Sequence, residues 1–122
     1  MQSKPPSQRQ LQVSEQIRFA LSNLFLTGEV AEIDGASITV SQVTISPDLK
    51  HCTAYIMPLG GKDKERLLEI LSTISPQIRH LISKKVKLRY TPTVKFKLDE
   101  SFEYAANISR ILHDLDAEGD NN

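Results

Sequence analysis

Apolar residues recur along the first part of the chain at steps of three and four. Leu11, Val13, Ile17, Ala20, Leu21 and Leu24 therefore gather on one side of a helix that ends near Phe25 to Thr27. Ser7 and Gln10 have the spacing of a capping box at its start, and Gly28 stands where a helix C-cap is expected. Ahead of this helix, residues 1–7 are polar with paired prolines and read as a flexible N-terminal tail.

Glu29 to Gly35 is short, acidic and turn-like, with Asp34-Gly35 as the strongest local turn signal. The period then changes to two. Ile38 and Val40 alternate with polar residues, Val43 and Ile45 do so in the opposite phase, and the slip at Ser41-Gln42 predicts a bulge in a strand from Ser37 to Ser46. Ser46-Pro47-Asp48-Leu49 is turn chemistry, and Lys50 to Met57 alternates again, so the two strands form a hairpin.

After Pro58-Leu59-Gly60-Gly61, Asp63 can cap a helix whose apolar face is Leu67, Leu68, Leu71 and Ile74. Pro76 clashes with a helix continuing behind it but suits the first turn of a new one. The spacing thus predicts two short helices meeting at a corner, with Ser75 as N-cap of the second and Ile78, Leu81 and Ile82 on its apolar face. Val86, Leu88 and Tyr90, then Val94, Phe96 and Leu98, alternate with Lys87, Arg89, Lys95 and Lys97, which reads as a strand with one apolar and one basic face. A last helix over about 101–115 aligns Tyr104, Ile108, Ile111, Leu112 and Leu115, and residues 116–122 form an acidic, disordered tail. The order is that of an α+β domain over residues 8–115, a three-stranded sheet covered by helices on one face.

Charge sharpens this picture. Fifteen basic and fifteen acidic residues cancel, which excludes a uniformly basic chain that holds nucleic acid by bulk attraction. Their distribution is uneven. Between Pro76 and Lys97 there are seven bases, Arg79, Lys84, Lys85, Lys87, Arg89, Lys95 and Lys97, and no acid, whereas acids dominate from Leu98 onward. Seven bases without a compensating acid are unusual for a merely solvated face, and they form the candidate RNA-binding surface. There is no tryptophan, and Phe19, Phe25, Phe96 and Phe102 fall mostly at apolar periodic positions, so recognition by shape and backbone is favoured over base stacking.

Enzymatic readings gain little. His51 and Cys52 are adjacent in a strand and point to opposite faces, so they cannot act as a nucleophile pair. Cys52 shares the parity of Ala54 and Ile56 and reads as a small core residue. His80 and His113 fall on separate helices with no ligand-type partner four residues away, and Gly60-Gly61-Lys62 lacks the rest of a phosphate-loop pattern. Neither a metal nor a cofactor is implied. One cysteine, no long apolar run and an opening without a signal-peptide core lead to the expectation of a soluble, cytoplasmic protein.

The order of elements matches the type II K-homology (KH) fold, which normally grips single-stranded RNA with a Gly-x-x-Gly loop between two helices. Here the corner reads Ile74-Ser75-Pro76, without glycine. Four stretches together resemble the bacterial ribosome-binding factor A family: Val43 to Ile56 with its Ser46-Pro47-Asp48-Leu49 turn, Ile78 to Lys85, Lys87 to Phe96, and Asp99-Glu100-Ser101. That family replaces the glycine loop with an interhelical kink, usually Ala-x-Gly, whose places Ile74 and Pro76 take here.

The resemblance implies a non-enzymatic biogenesis factor that binds the free small (30S) ribosomal subunit. It also implies contact with 16S rRNA near the subunit neck, help with processing of the 5′ end, importance in the cold, and a GTPase that assists release. Nothing suggests an obligate dimer, so a monomer is expected. An alternative on the same fold is a regulator of messenger or small RNAs, which would prefer particular short single strands. A protein-interaction module using the acidic tail or last helix is a third reading, and it would keep its partner when the basic face is lost.

Overall fold

A computed structural model describes residues 5–33, 38–58 and 63–100. The expected last helix, the acidic tail, the Asp34-Gly35 turn and Gly60-Gly61-Lys62 lie outside the described residues. The described elements run α1 (Gln8–Leu26), β1 (Ile38–Ile45), β2 (His51–Pro58), α2 (Lys64–Lys85) and β3 (Thr93–Leu98). They form one sheet in the order β1-β2-β3, with β1 antiparallel and β3 parallel to the central β2. This is the α+β, type II KH-like arrangement that the element order predicts.

Local chemistry sets the ends of α1. Ser7 Oγ accepts from the Gln10 N–H, and the Gln10 side-chain oxygen accepts from the Ser7 N–H, which completes the capping box. Gly28 follows the C-cap with φ +74°, a left-handed conformation that suits glycine. Along the helix Val13, Ile17, Ala20, Leu21, Leu24 and Phe25 are buried. Leu11, expected on that face, is exposed, because it sits about a third of a turn off the row that meets β1 and Gln10 points inward instead, its amide donating to the Ile45 carbonyl. Val30 and Ile33, in the stretch read only as a turn, also enter the core.

The hairpin follows its sequence signals. Register between β1 and β2 shifts between Val40 and Gln42, so Ser41 is the bulge that returns Val43 and Ile45 to the buried face occupied by Ile38 and Val40. In the turn, Ser46 Oγ donates to Asp48 Oδ1, which also accepts the Lys50 N–H, and Leu49 takes the left-handed φ of 63°. These two bonds, the hydroxyl first, hold the Asp48 carboxyl below its ordinary range.

Two expectations need correction. The helix α2 runs unbroken from Lys64 to Lys85 with Pro76 inside it, not as two helices meeting at a corner. Proline there removes one N–H and crowds the preceding turn. Buried Leu71 before it and Ile78 and Ile82 after it keep both halves packed on one core. Ser75 caps no new helix; its hydroxyl donates to the Val94 carbonyl of β3. Asp63 occupies the N-cap position, in a left-handed conformation and without a side-chain capping bond.

The second correction concerns the basic strand. Pairing begins only at Thr93, and residues 86–92 are irregular. β3 has β2 as its neighbour, and β2 starts at His51, so residues before Thr93 have no ladder to join. The segment is held instead by a side chain, Arg79 Nε donating to the Thr91 carbonyl, and backbone pairing starts with Thr93 N–H meeting the Lys50 carbonyl at 2.9 Å.

Both helices cover the same sheet face, α1 chiefly on β1 and α2 on β3. Val40, Val43, Ile45, Cys52, Ala54, Ile56, Val94 and Phe96 form one cluster with Ile17, Leu21, Leu24, Leu71, Ile78 and Ile82. Replacement of fully buried Ile78 by alanine is expected to lower unfolding free energy by about 2–5 kcal/mol, and Leu11→Ala to change it by no more than about 0.5 kcal/mol, in urea titrations.

Burial pushes the Cys52 thiol up to about 12. Its folded value then exceeds the unfolded one, so this contribution to stability is complete below the unfolded value and is lost as pH rises toward 12. Unfolding titrations across alkaline pH should show a steeper loss for the wild type than for Cys52→Ala.

Candidate nucleic-acid interface

The basic residues divide between two layers. Lys84 is exposed in the last turn of α2, where the helix dipole favours cations. Lys87 and Arg89 are exposed on the irregular segment that follows. Lys95 and Lys97 project from β3 on the sheet face that neither described helix covers, in register with Thr53 and Tyr55 of β2. Tyr55 in turn pairs with Gln42, and Thr53 with Thr44, so this open face carries rows of polar side chains ending in lysine.

Arg79 has a different place from the other bases. Half-buried, it donates from Nε to the Thr91 carbonyl at 2.8 Å, and its guanidinium lies 5.1 Å from the centre of the Tyr90 ring. Lys50 of the hairpin turn approaches the same ring, Nζ at 5.7 Å. Arg79 thus ties α2 to the segment before β3. Lys85 is also engaged: Nζ is 3.0 Å from Glu29 Oε2, and this bond, with a second from the Thr27 hydroxyl, holds the Glu29 carboxyl below its ordinary range. At the expected kink Ile74 packs half-buried against the core, Ser75 bonds to β3 as above, and Pro76 is exposed.

The sequence reading missed one aromatic. Phe25 and Phe96 are core residues, but the Phe19 ring is 72% exposed. Its signal was available in the helical period, since position 19 lies off the row of Ile17, Leu21 and Leu24.

His51 and Cys52 point to opposite faces, one exposed and one buried, as their adjacency in a strand requires. His51 Nδ1 lies 2.8 Å from the Thr93 hydroxyl across the ladder. Among the described residues, no group of three or more His, Cys, Asp or Glu side chains could hold a metal ion. No helix among them is long and apolar enough to cross a membrane.

A family model for ribosome-binding factor A matches residues 9–112. The chain belongs to the ribosome-binding factor A family. It is 47% identical over 109 residues to the ribosome-binding factor A of Paracoccus denitrificans, covering 88% of this chain and 79% of that protein. Its fold is similar to the crystal structure of ribosome-binding factor A from Thermus thermophilus, with a TM-score of 0.62 at 20% identity over 73% of this chain and 94% of that one. It is also similar to the Thermus thermophilus factor as fitted into a cryo-electron-microscopy map of a 30S complex. There the TM-score is 0.55 at 16% identity, over 77% and 94% of the two chains. These likenesses agree with the family's KH-like fold.

The geometry separates structural from exposed bases, and stability measurements can test the division. Arg79→Lys loses the guanidinium's bond to Thr91 and its contact with the Tyr90 ring, and is expected to cost about 1–2 kcal/mol of unfolding free energy. Lys84→Ala is expected to stay within about 0.5 kcal/mol of the wild type.

Proposed function

We propose that this chain binds the small ribosomal subunit during its maturation, through RNA contacts made by the exposed bases Lys84, Lys87, Arg89, Lys95 and Lys97. The supporting observation is a family member's residues 76–97 that carry seven bases and no acid, most of them exposed. Arg79 and Lys85, grouped with them by sequence, support the surface by fixing the segment between α2 and β3 and the end of α2.

The finer reading is help with late maturation, including processing of the 16S rRNA 5′ end, importance in the cold, and release assisted by a GTPase. The mode of action is binding rather than catalysis, by a cytoplasmic monomer. Such a factor acts only if it holds one state of the particle more tightly than another, because equal affinity shifts no equilibrium. Immature RNA geometry that places phosphates against both basic layers would meet that condition. Rearrangement of the site would then release the protein.

Co-sedimentation with free small subunits, large subunits and whole ribosomes tests the proposal. Binding confined to the free small subunit is expected. With about five phosphate contacts, log affinity should fall against log salt with a slope of about −3.5 to −4.5. Charge reversal of Lys84, Lys87 and Arg89 together should abolish binding while the circular dichroism spectrum stays native. Retained binding by that variant would remove the assigned surface, and tight binding to short single strands with no binding to any particle would favour the messenger or small RNA regulator.

A further inference from the structure

The outer side of α1 carries a groove that the established family membership does not account for. Gln16, Phe19 and Asn23 of α1 form one wall and Lys85, Val86 and Lys87 another, enclosing an open hollow of about 520 Å³. That volume lies within the roughly 300–1,000 Å³ of ordinary small-molecule sites. Phe19 also belongs to a second hollow beside it, shared with Leu11 and Gln12, so the ring stands as a ridge between two depressions.

The composition of the first hollow is specific. Positions 16, 19 and 23 are one helical turn apart, which sets an amide one turn before and one turn after an exposed aromatic ring. Each amide offers both a donor and an acceptor, the combination needed at the edge of a nucleobase. Among the described residues lining the hollow there is no acid, and the two nearby carboxylates are occupied, Glu29 by Lys85 and Glu15 by Arg18. The exposed Lys87 supplies positive charge on the opposite wall.

From this arrangement we infer that the groove takes a single unstacked RNA base. The base lies against Phe19, its edge meets Gln16 or Asn23, and its phosphate meets Lys87. A ring accepts any base face, so the contact adds affinity without demanding a sequence. An apolar protein segment fits less well, since amides and lysines bound the ring and would be left unpaired beneath it. The inference rests on the RNA-binding reading of the preceding section and locates on α1 a contact that charge patterning alone did not show.

Because the chain has no tryptophan, Phe19→Trp places a lone indole at the site. Oligoadenylate added to the full-length variant at low salt is expected to quench its emission by stacking. A fully paired RNA duplex of equal length is expected not to, and Lys87→Glu in the same background should weaken the quench. In the wild-type background Phe19→Ala should lower oligoadenylate affinity roughly ten-fold, and Phe19→Tyr should retain it.

Unchanged emission with oligoadenylate, or equal quenching by the duplex, would overturn the inference. So would an indole shielded from acrylamide before RNA is added, which would mean that another part of this chain or a second copy covers the ring. Wild-type co-sedimentation with small subunits is measured alongside. Subunit binding without indole quenching defeats the base site and leaves the ribosomal reading intact; quenching without subunit binding does the reverse.

Discussion

Everything in this fold is referred to the central strand. β2 is hydrogen-bonded on both sides, antiparallel to β1 and parallel to β3, and its inward residues Cys52, Ala54 and Ile56 are buried under two helices. Two of the three are small, and the helices lie chiefly over the strands on either side, α1 on β1 and α2 on β3. A strand with a strict two-residue period also divides chemistry between faces. His51, Thr53 and Tyr55 consequently share the outer face with Lys95 and Lys97, and the core cysteine is removed from the solvent that its neighbouring histidine meets.

A parallel partner for β2 requires a long crossover, and α2 with the segment after it provides that crossover. Three side-chain bonds fasten it: Ser75 to Val94, Arg79 to Thr91, and the Tyr90 ring between the reach of Arg79 and Lys50. One of these residues, Arg79, comes from the run of bases that suggested an RNA-binding face. Cations near a surface can thus serve the fold, and a base with a backbone partner is poorly placed to leave it for a phosphate. Lys84, Lys85, Lys87, Arg89, Lys95 and Lys97 are exposed, Lys85 in a salt bridge with Glu29, and they are split between the helix layer and the open sheet.

Pro76 shows how packing overrides a local rule. An internal proline costs roughly 3 kcal/mol in an isolated helix, yet the helix here continues through it. Leu71, Ile78 and Ile82 all bury against one core, and a break between them would have to move one half away. Burial of several large side chains, each contributing about 1.5–3 kcal/mol, exceeds the loss of one hydrogen bond. The corner with Ile74 and Pro76 in place of the family's small residues is therefore a proline within a helix, and Pro76 itself remains exposed.

Sequence alone determined the elements whose causes are local or periodic. The capping box of α1, the glycine after it, the bulge at Ser41, the Ser-Pro-Asp-Leu turn and the inward parity of Cys52 each depend on a few neighbouring residues, and each is present. The family could also be recognised, because its stretches occur in order along the chain. Tertiary structure decided what depends on partners distant in sequence. Whether residues 86–92 join a strand depends on where β2 begins, and whether Arg79 meets solvent depends on Thr91 and Tyr90. Whether Leu11 and Phe19 are covered depends on the path of β1 and of the chain beyond α2. Periodicity says which residues share a face; only packing says what that face meets.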